Sequence, residues 1–294
     1  MTRIVFAGCD ATPDFTRSDR LLADALEAKG AEVSLASWTG AFAPFAEADG
    51  VVVRSTWDYY DRPAEFRAWI GRLASEAGAA INALGLMLWN LEKSYLHDLA
   101  ERGAPVVPTA FLAPDADSAA VAETASARGW RRWVLKPAVS ASAHGLSLGA
   151  PGEEAAALAA AAPYRAGGLM LQPVVESVAA FGEASLVFAG DALVHAVRKR
   201  PKAGDIRCQE EYGGLTDTFE PPPAAVRAAE AVFAALDPHP RPVYARVDLV
   251  RDGRALDSDW RLIELELIEP ELFLHHAPEQ ASWIVAGAVL RAIS

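Results

Sequence analysis

Leu262-Ile263-Glu264-Leu265-Glu266-Leu267-Ile268-Glu269-Pro270, read beside Tyr244-Ala245-Arg246-Val247-Asp248-Leu249-Val250, decides the reading of this chain. Side chains on a strand repeat every two residues, so Glu264 and Glu266 share one face of the first stretch. If the two stretches pair, Asp248 joins them and three carboxylates converge. Such a group repels itself unless a cation sits within it, and hard oxygen ligands of this kind suit Mg²⁺. The same alternation also marks the solvent face of an ordinary amphipathic strand, and this segment alone leaves both readings open.

Upstream lie three further segments with chemical content. Trp133-Val134-Leu135-Lys136 is an apolar strand ending in a lysine, followed by the small-residue loop 138–145. A backbone of this kind can close over phosphates while the ammonium neutralises them. Leu169-Met170-Leu171-Gln172-Pro173-Val174-Val175-Glu176 is a strand that breaks at a proline, followed by Glu183. It fits either a main-chain edge for an adenine or an edge strand with a Pro stop. Arg198-Lys199-Arg200-Pro201-Lys202, with Arg207 and the pair Gly213-Gly214 beyond, is a basic cluster suited to an anion or to a solvated hairpin.

The first third alternates between strands and helices: strands at 4–7, 32–37 and 50–53, helices at 18–29 and 63–74. That order predicts a parallel sheet, whose ligands sit at the carboxyl ends of strands. Arg54-Ser55-Thr56-Trp57-Asp58-Tyr59 occupies such an end, so Arg54, Ser55 and Asp58 are candidates for gripping a charged substrate. The alternative is that Arg54 and Asp58 pair with each other and cap the neighbouring helix. Ala7-Gly8-Cys9-Asp10 lacks the dinucleotide-binding glycine spacing, and Lys93-Ser94 follows Glu92 rather than Gly, so no Walker loop is present. Later helices are expected at 92–102, 118–128, 222–236 and 278–293.

Composition narrows the class. The chain has 294 residues, 52% of them hydrophobic and 22% charged, as a folded globular protein should. Its 27 basic against 39 acidic residues leave a net charge of −12, which excludes the basic face of a nucleic-acid binder but not a nucleotide site. No apolar run approaches the ~20 residues of a membrane helix. Two cysteines, Cys9 and Cys208, form neither a disulfide framework nor a zinc motif, and a cytoplasmic setting is expected. Only five of the basic residues are lysines: Lys29, Lys93, Lys136, Lys199 and Lys202. In so arginine-rich a chain, a retained lysine suggests a need for a compact ammonium.

The order of these segments resembles the ATP-grasp superfamily, in its glutathione-synthetase-like and ribosomal-protein glutamate ligase branch. The resemblance covers about residues 86–274. Asn90-Leu91-Glu92-Lys93 with Gly103-Ala104-Pro105-Val106-Val107-Pro108-Thr109 is similar to the segment that opens the family's ATP-binding part. The segments 54–59, 204–209 and 264–270 look like a bacterial subgroup that includes the D-cycloserine ligase, which closes O-ureidoserine into a ring. The resemblance implies an α/β protein, α+β in its ATP-binding part. It would have an N-terminal parallel-sheet domain (1–85), a central ATP-binding subdomain (86–173) and a C-terminal subdomain (174–294) carrying the metal and substrate site.

The activity implied is an ATP-dependent carboxylate–amine ligation through an acyl phosphate on a small amino-acid-like substrate. Phosphotransfer alone, or nucleotide binding without turnover, are the rivals. Lys93 and Lys136 would bind the phosphates, with Ser142 and Gly145 in the lid. Gln172, Pro173 and Val174 would line the adenine pocket, and Glu183 and Glu176 would hold the ribose. Lys199 and Arg207 would act at the transferring group, with Gln209, Gly213 and Gly214 near the substrate. Asp248, Glu264 and Glu266 would carry two Mg²⁺. The family usually has Asn at the last of these positions, and Glu266 adds a charge that should tighten Mg²⁺ binding. A homo-oligomer is compatible with the resemblance.

Overall fold

The structure, a computed structural model, describes residues 1–139, 144–205, 207–208, 210–253 and 259–294. It contains three sheets. The first, β1 (Thr2–Gly8), β2 (Ala31–Ser37), β3 (Gly50–Val53) and β4 (Ala79–Ile81), is parallel, in the order β2-β1-β3-β4. Its strands are near-continuous apolar runs such as Gly50-Val51-Val52-Val53, all buried, because helices cover both faces.

The second sheet consists of β5 (Ala110–Leu112), β6 (Trp133–Pro137), β7 (Ser147–Gly149) and β8 (Leu169–Pro173), antiparallel in the order β5-β8-β6-β7. Trp133 is fully buried here and lies opposite Gly149. A β-carbon at Gly149 would collide with the indole, so the glycine is what lets β7 close on β6.

The third sheet holds β9 (Glu183–Ala189), β10 (Ala192–Arg200), β11 (Leu215–Thr218), β12 (Tyr244–Asp252) and β13 (Asp259–Glu266). All its pairings are antiparallel, in the order β11-β10-β9-β12-β13. One face packs on the helix Pro223–Ala234 through Leu186, Phe188, Val232, Phe233, Val247, Leu249 and Leu265. The C-terminal helix Gln280–Ile293 turns back to bury Val285 and Val289 against Leu22, Leu26 and Ile4 of the parallel sheet's layer. These five buried core positions, each worth about 1.5–3 kcal/mol of burial, tie the chain's two ends together.

The edge strand β13 is pinned along its open side rather than left to solvent. Val107 N–H donates to Leu262 O at 2.9 Å, and Leu262 N–H donates to Pro105 O at 2.7 Å. Asn90 donates to Leu265 O and accepts from Leu267 N–H, both at 2.9 Å. Asn82 donates to the carbonyls of Tyr244 and Leu267, each at 2.8 Å, and Tyr95 Oη accepts from Leu265 N–H at 3.0 Å. Side-chain amides thus replace a missing sheet partner and fix the direction in which Glu264 and Glu266 point.

The long elements agree with the periodicities of the sequence. The differences are short or at ends. β4, β5, β7 and β11 have three or four residues each, too few for a period to show. The helix expected over 92–102 is confined to Tyr95–Glu101, and Lys93 lies in the preceding turn, where its N–H donates to Ala138 O at 2.9 Å.

Candidate active site

The two decisive stretches do pair. In the antiparallel register of β12 and β13, Arg246 faces Glu266 and Asp248 faces Glu264, with a bulge where Leu249 pairs Leu262. Directly opposed residues share a face, so two cross-strand pairs put three carboxylates and one guanidinium side by side. Carboxylate oxygens of Asp248, Glu264 and Glu266 all lie within 4.8 Å of one another. Bulges re-aim side chains next to functional sites, and this one precedes the acidic ladder.

Cations surround the ladder. Arg246 Nε and Nη2 donate to the two oxygens of Asp248 at 2.9 and 3.0 Å, and Nη2 also reaches Glu266. Lys199, on β10, donates to Asp248 at 2.8 Å and pairs with Glu183 at 3.0 Å. Lys93 pairs with Glu264 at 3.0 Å. Lys199 and Glu183 are register partners on β10 and β9, and Gly182, at φ +93°, lets the chain pass against the Lys199 carbonyl. Only glycine tolerates both that φ and that approach.

The protonation states follow from these neighbours. Burial alone would raise the Asp248 carboxyl, but Arg246 and Lys199 outweigh it and hold it far below the carboxylate range. Burial opposes charge on Lys199 as well, and Asp248 and Glu183 reverse that and raise it. Lys136, with no such close pair, is lowered by burial and by Lys93, against the pull of Glu264. Glu266 is pushed up to about 7 by burial, with Arg246 opposing and Glu264 and Asp248 adding to the rise. Three carboxylates in mutual reach thus repel one another even with Arg246, Lys199 and Lys93 beside them, as the raised Glu266 carboxyl records, and a divalent cation would relieve that repulsion.

A cavity of about 380 Å³ opens onto this cluster. Val134, Lys136, Leu146, Gln172, Pro173, Val174 and Glu183 line one end, supplied by β6, β8 and β9. Lys93, Lys199, Arg246, Glu264 and Glu266 line its middle, and Trp57, Glu269, Glu271, Phe273 and His275 the other end. Apolar walls with a few convergent polar groups at a junction of two sheets are the usual make-up of a nucleotide-sized pocket.

The D-cycloserine synthetase DcsG N-terminal domain family matches residues 4–82. The cycloserine biosynthesis protein DcsG of Streptomyces lavendulae is 32% identical over 272 residues, which span 88% of this chain and 89% of that protein. The chain belongs to the DcsG family. The crystal structure of D-cycloserine synthetase DcsG matches it with a TM-score of 0.88 at 27% identity, over 99% of this chain and 100% of that one. A RimK-domain ATP-grasp protein from Sphaerobacter thermophilus shares the fold at a TM-score of 0.70 and 18% identity, over 98% and 100% of the two chains. The fold is ATP-grasp, and this DcsG-family chain is an ATP-dependent ligase of that class.

Not every residue singled out from the sequence reaches the cavity of this DcsG-family protein. Arg54 is buried, with Nε on Asp19 at 2.7 Å and Nη2 on Pro270 O at 2.8 Å. Its partner is thus neither a substrate nor Asp58. Ser55 is fully buried, and Asp58 holds Trp38 Nε1 at 2.7 Å and Arg62 at 2.8 Å. From that segment it is Trp57 and Tyr59 that line the cavity. Glu176 is exposed, pairs with Arg132 at 2.9 Å and is not among the cavity-lining residues. Gly145 packs on Pro137 and Tyr164, and it is Leu146 that reaches the lining. Gly213 and Gly214 are not among the lining residues. Ser142 and Gln209 lie outside the described residues.

Arg207 lines the cavity, and its guanidinium is held by Asp205 at 2.8 Å and stacked 3.9 Å over Tyr212. Gln172 lines the cavity and donates to Thr109 Oγ1 at 2.8 Å. Among the lining residues that escaped the sequence reading are Arg246, Glu269 and Glu271. Arg246 was accessible from the same period of two that marks Asp248. The two glutamates stand beyond the strand's end, where no period applies.

Proposed function

We propose that this chain is an ATP- and Mg²⁺-dependent ligase that activates the carboxylate of a small amino-acid-like substrate as an acyl phosphate and joins it to a nitrogen. The relatives named for cycloserine formation support an intramolecular version, closing a ring. One observation carries the reading: Lys93, Lys136, Lys199, Arg246, Glu264 and Glu266 line one cavity, and the buried Asp248 stands directly behind them, paired to Lys199 and Arg246. The donor set fits Mg²⁺, being all carboxylate oxygen with its ligand atoms within 4.8 Å. Asp248, Glu264 and Glu266 are the residues that would hold it, and once bound it supplies charge neutralisation on the phosphate oxygens.

The chain's own residues do the rest by position and charge. Lys136 and Lys93 neutralise the triphosphate from the side of β6 and the turn before the helix Tyr95–Glu101. Gln172, Pro173 and Val174 wall the adenine, and Glu183 accepts from the ribose. Lys199 and Arg246, now paired to Asp248, hold that carboxylate in its charged form and face the transferring phosphoryl group with Arg207. A substrate carboxylate oxygen attacks the γ-phosphorus, the bond from phosphorus to the β–γ bridging oxygen breaks, and ADP leaves. The nitrogen then attacks the acyl carbon and loses its proton, and the carbon–oxygen bond to phosphate breaks. Water reaching the acyl phosphate would waste it, so the loop through Gly145 is assigned to cover it.

The test is a panel of amino acids with ureido and hydroxamate analogues, O-ureidoserine among them, followed by phosphate release and ADP formation. Turnover should need ATP, Mg²⁺ and one acceptor together, and Lys136→Ala should remove it. Hydroxylamine should trap the acyl phosphate as a hydroxamate. Undiminished turnover in Lys136→Ala would refute the site assignment.

A further inference from the structure

The cavity's two ends differ in how their carboxylates are satisfied. In the middle, Glu264 has Lys93, Glu266 has Arg246, and Asp248 has both Arg246 and Lys199. Glu183 has Lys199. At the far end, Glu269 and Glu271 line the same cavity, and neither has an ion-pair partner among the described residues. Glu269 is only 8% exposed. A carboxyl that deeply buried, without a cation, is a standing electrostatic deficit. Burial and the nearby Glu266 push it up to about 8, against the pull of Lys93.

Glu269 is not an extension of the metal ladder. The carboxylates whose oxygens gather within 4.8 Å are Asp248, Glu264 and Glu266, without it. Its surroundings are also of a different kind. Trp57 donates through Nε1 to the Glu269 carbonyl at 3.4 Å, and the rings of Trp57 and Phe273 line the same end. Glu271 lies on the other side of Pro270, and its carboxylate accepts from Phe273 N–H at 2.8 Å. That bond holds Phe273 at φ +48°, a left-handed conformation that bulky residues adopt only under constraint. His195 Nε2 donates to Leu272 O at 2.9 Å from behind and steadies the same segment. Nδ1 of His275, also at this end, is buried with no hydrogen-bond partner among the described residues. The far end is thus an anchored wall of carboxylates and aromatic rings, whereas Lys93, Lys199 and Arg246 stand with the acidic ladder.

We propose that Glu269, supported by Glu271, is the subsite for the protonated primary amine of the amino-acid substrate. Its carboxylate would lie toward Arg246 and Lys199 and its ammonium toward Glu269. This assignment rests on the ligase reading above. A buried carboxylate and an aromatic face are the two groups that replace an ammonium's hydration shell.

The test compares O-ureidoserine with its des-amino analogue, 3-(ureidooxy)propanoate, in the full chain with MgATP. The wild type should prefer the amine-bearing compound in kcat/KM by about 10-fold to 150-fold, the range of a charge-assisted hydrogen bond. Glu269→Gln should raise KM for O-ureidoserine at least about tenfold, shrink the preference to within about threefold and leave KM for ATP unaltered. Glu271→Gln should do the same more weakly. A preference that survives Glu269→Gln, with KM for ATP unaltered, overturns the subsite while leaving the ligase intact. No turnover by the wild type on any amino acid of the panel overturns the ligase reading and the subsite with it. If Glu269→Gln does not fold, Glu269→Asp keeps the charge and must keep the preference; its loss there counts against the assignment.

Discussion

Two buried charged clusters of this chain do opposite things. At the carboxyl end of β3, Arg54 meets Asp19 and the Pro270 carbonyl inside the core. On β12 and β13, Asp248, Glu264, Glu266 and Arg246 meet with Lys93 and Lys199 against a cavity. The first pairs one guanidinium with one carboxylate inside the core; the second gathers three carboxylates within 4.8 Å of one another beside open volume. Burial of charge therefore does not by itself mark a site. Like charges crowded beside an opening do.

Removing a member from each cluster should separate their roles. The largest effect is expected for Asp248→Asn, which leaves Lys199 and Arg246 without their shared partner. The folded enzyme should lose at least about 10³-fold in kcat, measured as ADP formation, because a preorganised charge acting in the transition state is lost. Arg54→Ala should instead lower stability by about 3–5 kcal/mol in urea unfolding, since it strands Asp19 in the core, and leave kcat of the folded fraction unchanged. If Arg54→Ala left stability intact and removed activity, the contrast between the clusters would collapse.

Finer substitutions sharpen the same comparison. Glu266→Asn removes one of the three crowded carboxylates and should raise the Mg²⁺ concentration for half-maximal rate several-fold without abolishing turnover. An unaltered Mg²⁺ requirement would mean that Glu266 serves Arg246 alone. The smallest effect is expected for Glu176→Ala. Its exposed pair with Arg132 contributes at most about 1 kcal/mol, and KM for ATP should not move. A clear rise in that KM would return Glu176 to the ribose.

How far the sequence reveals this arrangement depends on whether a local period carries the information. Asp248, Glu264 and Glu266 are readable because strand alternation puts them on one face, and their pairing follows once the strands are taken as neighbours. Lys136 is readable as the charged end of an apolar strand. Asp19 as the partner of Arg54 is not, because it stands 35 residues upstream on a helix, and nothing local links the two. Asp58 and Arg54 look alike in sequence to substrate-gripping residues, since a core and a cavity impose the same residue types. Glu269 sits three residues past Glu266, beyond the strand, where only the fold shows which way the chain turns.

Crystals grown with Mn²⁺ in place of Mg²⁺ and a non-hydrolysable ATP analogue test the central claim most directly. Anomalous scattering should give a peak coordinated by Asp248, Glu264 and Glu266, with the triphosphate between it and Lys93 and Lys136. A peak elsewhere in the chain, or a triphosphate bound away from β12 and β13, would contradict the account.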